Sequence, residues 1–159
     1  MDKPHQMTPE TLGDLQDRVI RDVSECSNGA NHLSVDEQKN ISEVAHFLYA
    51  KAPGNYIEQN SSKSLFAIAE TMNTLIEKYL TEHSTCIIHH TEDSNGIFLY
   101  IVTGDRPFIT ETTRDSIIGS DGRINVFLHP IILRNEKRIS ASFIPVSYTH
   151  LTLPTILLV

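Results

Sequence analysis

Ile97-Phe98-Leu99-Tyr100-Ile101-Val102-Thr103-Gly104-Asp105-Arg106-Pro107-Phe108 is the stretch whose reading decides the fold. From Ile97 to Val102 it is apolar, aromatic and β-branched, which is strand composition. Pro107 fixes its own φ and lacks an amide proton, so it is at home in the first turn of a helix, and a short helical segment is expected from Pro107 to about Ile118. Working upstream, Cys86-Ile87-Ile88 has the same strand character, and Asp93-Ser94-Asn95-Gly96 supplies the turn residues between the two runs. That pattern predicts a β-hairpin. Working downstream, Asp121-Gly122 marks a turn, Ile124 to Leu133 reads as another strand, and a last strand begins near Arg138 and is interrupted.

The order from Ile97 is strand, helix, strand, strand, the first part of a βαββαβ ferredoxin-like unit whose second helix and fourth strand are not found. Half the helical cover of such a sheet is then expected to be missing. An exposed apolar face and an unpaired edge follow, and with them marginal stability.

The residues before this unit read as helical. Thr8-Pro9-Glu10 combines a capping residue, a first-turn proline and an acid near a helix N-terminus. Leu12, Leu15, Val19 and Val23 then recur at helical spacing until Asn28-Gly29. Ser34-Val35-Asp36-Glu37 is a capping box opening a second helix through Ile41, Val44, Ala45 and Leu48, and Pro53-Gly54 ends it. Asn60-Ser61-Ser62 caps a third, with Leu65, Ile68, Met72, Leu75, Ile76 and Tyr79 along one face as a core stripe. The expectation is an α+β chain: three helices over residues 1–84, then an incomplete α+β domain over 85–144.

Of 159 residues, 40% are hydrophobic and 21% charged, the composition of a globular domain. The formal charge of −7 disfavours nucleic acid and anionic membrane as partners, because both would repel it. Cys26 and Cys86 lie far apart, form no C-x-x-C pair and call for neither a disulfide framework nor a zinc site. No apolar h-region opens the sequence and no run reaches transmembrane length, so a cytoplasmic location is expected.

The end of the sequence has a different character. Val146-Ser147-Tyr148-Thr149-His150-Leu151-Thr152-Leu153-Pro154-Thr155 resembles the translation of a sequencing-library transposon-end adapter, and the codon of Pro145 can end in that adapter's leading bases. Residues 145–159 are accordingly expected to be adapter-derived, with a reading frame that ran off a DNA fragment near Ile144.

Two blocks carry a family resemblance. The run from Leu99 through Gly104-Asp105-Arg106-Pro107-Phe108-Ile109-Thr110-Glu111-Thr112, and the later His129-Pro130-Ile131-Ile132-Leu133, resemble the N-terminal region of the large bacterial NAD-dependent glutamate dehydrogenases. Phe47-Leu48-Tyr49, Ala52-Pro53, Asn55-Tyr56 and Ser64-Leu65 resemble that family's helical lead-in. The resemblance implies an ACT-like regulatory or assembly unit. The parent enzyme would deaminate L-glutamate to 2-oxoglutarate and ammonia with NAD. For this chain it implies no cofactor and no catalysis, and as partners the remainder of the parent polypeptide, an amino-acid effector and further copies in a homo-oligomer. The alternative is a free-standing ACT-like module that senses an amino acid or docks a partner.

The residues themselves offer one constellation with a chemical argument. At Gly104-Asp105-Arg106-Pro107-Phe108 a strand turns into a helix, whose first amides can hold a carboxylate while Asp105 pairs with an ammonium. The plainer reading makes Asp105 a helix cap and Arg106 a solvated charge. His89 and His90 alternate across a strand and cannot share one metal. His129 precedes Pro130 at a strand bend, where a structural role is expected. Thr110, Thr112, Thr113 and Ser116 lack an oriented His and acid, and no G-x-G-x-x-G turn is present for a dinucleotide.

Overall fold

The computed structural model describes residues 11–94 and 96–148, and the architecture is α+β. Helix α1, Leu12–Asn28, opens on a capping box in which the Thr11 hydroxyl accepts from the Asp14 amide while the Asp14 carboxylate accepts from the Thr11 amide and hydroxyl. The expected start at Thr8-Pro9-Glu10 lies outside the described residues. Helix α2, Val35–Tyr49, opens on the reciprocal Ser34 and Glu37 bonds that the sequence predicts. A short helix α3, Gly54–Gln59, occupies what was read as a break. Pro53 stops α2's path but stands extended at the new N-cap, where its missing amide costs nothing, and Ile57 is buried by the turn it starts. Helix α4, Ser62–Thr81, follows the Ser61 cap.

The remaining elements are β1 (Cys86–Asp93), β2 (Gly96–Gly104), α5 (Ile109–Gly119), β3 (Gly122–Ile124), β4 (Ile131–Arg134) and β5 (Lys137–Tyr148). They make one antiparallel sheet in the order β1-β2-β5-β3, with β4 pairing the start of β5. The hairpin registers Cys86 on Thr103 and Asp93 on Gly96, and β5 lies against the other side of β2, with Ile144 on Leu99. A Cβ on Gly96, whose φ is +147°, would come within 2.5 Å of the Val146 carbonyl oxygen, so that position requires glycine.

The expected strand from Ile124 to Leu133 is one edge with a fault in it. Ile124 faces Val146 and Leu128 faces Phe143, so Asn125, Val126 and Phe127 stand opposite only Ile144 and Pro145. That one-residue excess is a β-bulge, and it accommodates Pro145, which has no amide to give the ladder. β4 and β5 then close through Asn135 and Glu136, both at positive φ, as a tight hairpin turn of right-handed strands requires. The last strand is not interrupted: β5 runs through Ile144 to Tyr148, and residues 146–148 provide the whole ladder for β3.

Alternation along the strands divides the core. Tyr100, Val102, Ile139, Ala141 and Phe143 face α1, α2 and α4, joining Val19, Val44, Leu48, Leu65, Met72 and Ile76 in one cluster. Leu99, Ile101, Ile144 and Val146 face the other way, beneath Ile117 of α5. The expected bare apolar face is therefore absent among the described residues. The N-terminal helices roof one side while α5 covers the other, and Leu99, Ile101, Ile144 and Val146 are each no more than 5% exposed.

A buried arginine fastens the two layers. Arg134 of β4 donates to the Asn73 side-chain oxygen at 2.8 Å and to Glu77 at 2.9 Å on α4. It reaches the Asn40 carbonyl of α2 at 3.5 Å. Three tyrosines lie close to one another elsewhere in the interface. Burial raises the ionisation of Tyr49, Tyr56 and Tyr100 above the ordinary phenol value, with Tyr49 also feeling its two neighbours. Tyr49 donates to the Leu65 carbonyl at 2.6 Å, whereas the buried Tyr56 hydroxyl has no partner among the described residues.

Candidate functional site

β2 carries Thr103 and Gly104 to the end of the sheet, and the chain then turns through Asp105, Arg106, Pro107 and Phe108 into α5. Pro107 stands outside the helix rather than in its first turn. α5 begins at Ile109, and the residue in the N-cap position is Phe108, at φ 67° and ψ 1°. A left-handed backbone at a bulky aromatic residue is strained, by about 1–3 kcal/mol. The ring is 75% exposed, so burial of Phe108 does not compensate for that strain.

Asp105 does not cap the helix. Its Oδ2 accepts from Arg138 Nε at 2.9 Å across the start of β5, and its amide donates to the Arg138 carbonyl at 3.2 Å. These bonds tie the turn to the strand beside it and leave the first amides of α5 with no side-chain acceptor. Asp105 Oδ1 has no donor among the described residues. Arg106 is exposed and lies near enough to Cys86 to oppose the effect of burial, which pushes the Cys86 thiol up.

On the sheet face that carries the Ile117 cluster, the end of β2 and the facing part of β5 present hydroxyls instead of hydrocarbon. Thr103, Ser140 and Ser142 are 2%, 3% and 4% exposed and alternate onto the α5 face, with Thr103 directly opposite Ser140. Thr103 donates to the Thr85 carbonyl at 3.1 Å. Sequence reading missed this layer because Ser140 and Ser142 belong to a strand whose pairing partner lies far away in the chain. Arg138 was missed for the same reason.

The other candidates separate. Thr113 donates to the Ile109 carbonyl at 2.7 Å and Ser116 to the Thr112 carbonyl at 2.9 Å, so these hydroxyls are spent on their own helix. His89 stands opposite Tyr100 and His90 opposite Leu99, on opposite faces of β1, and no cluster of three metal-ligating side chains occurs among the described residues. His129 is exposed on the bulged edge, with its ring centroid 5.6 Å from that of Phe127. No helix among the described residues is long and apolar enough to cross a membrane. Compared with protein families, curated proteins and solved structures, the chain matches none of them.

Proposed function

We propose that this chain is a regulatory or assembly segment of an NAD-dependent glutamate dehydrogenase, with an α-amino acid as effector at the β2–α5 turn and no catalysis of its own. The observation that carries the effector is the uncapped start of α5. Backbone amides aimed outward at the positive end of a helix dipole are a carboxylate site that needs no cationic side chain. Asp105, with one oxygen held by Arg138 and the other free, would receive the ammonium. The strand order supports the ACT-like assignment. β5 inserts between β2 and the edge that α5 leads to, as the third strand of a ferredoxin-like unit does, and β1 stands antiparallel at the edge that the fourth strand takes in such a unit. NAD and the glutamate chemistry belong to the parent enzyme, and the remaining parent chain and further copies in a homo-oligomer are the partners.

The covered sheet favours one other reading, a free-standing ACT-like sensor, because a unit roofed on both faces needs no neighbour to hide its core. Sequencing the source DNA beyond codon 144 separates the two: a long open frame with a dinucleotide-binding turn supports the dehydrogenase, and a prompt stop supports the sensor. Calorimetric titration of the chain with the L-amino acids tests the effector. Heat for at least one of them, lost in Asp105→Asn, is expected. Silence from all of them removes the effector site, and NAD-dependent glutamate turnover by the chain itself would overturn the assignment of catalysis to other sequence.

A further inference from the structure

A cleft of about 620 Å³ lies away from the α5 turn, where the last turn of α2 meets the bulged edge of the sheet. Its volume falls in the range of small-molecule sites, about 300–1,000 Å³. Leu48, Phe127, Leu128, Pro130 and Ile131 form its apolar wall, and Phe47, 39% exposed on α2, opens onto it. Three nitrogen-bearing residues line it: His46 and Lys51 from the α2 side, and His129 from the strand side.

Two properties set the cleft apart from an ordinary surface crevice. No aspartate or glutamate lines it, in a chain whose net charge is −7. Neither His46, Lys51 nor His129 is engaged by an acidic side chain among the described residues. A hydrogen-bond donor near a helix C-terminus is favourable in itself, which accounts for His46 and Lys51. It does not account for His129, which lines the same cleft from the strand side. The wall is held in place independently, since Arg114 of α5 stacks on Phe127 at 5.4 Å and His129 meets the same ring edge-on.

We infer that this cleft binds a small aromatic carboxylate, its ring against Phe47, Phe127, Leu128 and Pro130 and its carboxylate on Lys51, His46 and His129. An apolar wall alone would take a neutral hydrocarbon, and one ammonium with two ring N–H donors alone would take any anion. The two together select a molecule that has both parts, because each part left without its counterpart forfeits contact or charge-assisted hydrogen bonding.

The test is an amide-shift titration of the full chain with 2-naphthoate, with neutral 2-naphthamide and inorganic phosphate as controls. Saturable shifts confined to residues 46–51 and 127–131 are expected, with naphthamide and phosphate each at least about tenfold weaker. Lys51→Met and His129→Gln, both at exposed positions, should each weaken naphthoate severalfold and leave the rest of the spectrum in place. Equal affinity for naphthoate and naphthamide would overturn the carboxylate assignment. Equal binding of phosphate would overturn the aromatic one, and absence of saturable shifts for any probe would remove the site. None of these outcomes bears on the α5 turn, whose amides report separately.

Discussion

Replacing Arg134 by alanine should remove about 3 kcal/mol of folding stability, most of it through an oxygen that loses its donor rather than through the ion pair. The Arg134 side chain is 9% exposed, and its carboxylate partner Glu77 is 50% exposed. A pair with one half in water is worth no more than about 0.5–1 kcal/mol. Asn73 is different: it is 5% exposed, and its oxygen accepts from Arg134 at 2.8 Å. A buried acceptor stripped of its partner costs about 1–3 kcal/mol. The aliphatic stem contributes roughly another 1 kcal/mol of buried contact. Urea unfolding followed by circular dichroism gives the measurement, and with a slope of about 2 kcal/mol/M the midpoint should fall by about 1.5 M. Arg134→Met with Asn73→Leu should recover much of the loss, because it removes donor and acceptor together. A midpoint shift below about 0.5 M at unchanged slope would refute the idea that Arg134 fastens the sheet to α4.

Phe108→Asn should stabilise the chain by about 1 kcal/mol, since asparagine tolerates the left-handed region and the exposed ring has little packing to lose; a lower urea midpoint would show that the ring has contacts of consequence. Tyr49, Tyr56 and Tyr100 have ionisations raised by burial, so the stability they confer is complete below the unfolded phenol value and lost as pH climbs through their folded values. Tyrosinate absorbance should accordingly show those three rings titrating only with alkaline unfolding, and smooth titration of all of them in a folded chain would contradict their burial. Asp14 and Glu37 have the opposite sign: hydrogen bonds from Thr11 and Ser34 hold their carboxyls below the usual range, so their contribution is present above it and fades as acid protonates them. Amide exchange in the first turns of α1 and α2 should quicken on acidification relative to mid-helix amides, and Glu37→Gln should blunt that change at α2.

Features set by neighbours in sequence were legible. Ser34 and Glu37 announce α2, the Ile97–Val102 run announces β2, and Asp93 to Gly96 announces the hairpin, because caps, alternation and turns act over a few residues. Features set by distant pairing were not. Nothing local to Asn125–Phe127 says that three residues must face two, since that count is fixed by where β5 pairs at Val146 and Phe143. Nothing near Asp105 announces Arg138, and so the candidate turn was located correctly as a strand-to-helix junction while its capping arrangement was not. The left-handed Phe108 ran against every local preference. Strain of that kind is visible only in three dimensions. The 620 Å³ cleft joins segments about eighty residues apart, and its histidines carry no spacing by which a sequence could pair them.

The roofing of both sheet faces limits how copies of this unit can be joined. Stacking sheet against sheet is closed to it, because α1, α2 and α4 occupy one side and α5 the other. Among the described residues the ladder can be lengthened at its rims alone, and these differ: one is broken by the bulge at Asn125–Phe127, while the other is the regular strand β1. Units joined along β1 would extend in the plane of the sheet as a ribbon. Each added strand would turn it by roughly 20–25°. The α5 turns, carried on one surface of that ribbon, would then be spaced by the width of a sheet rather than brought face to face.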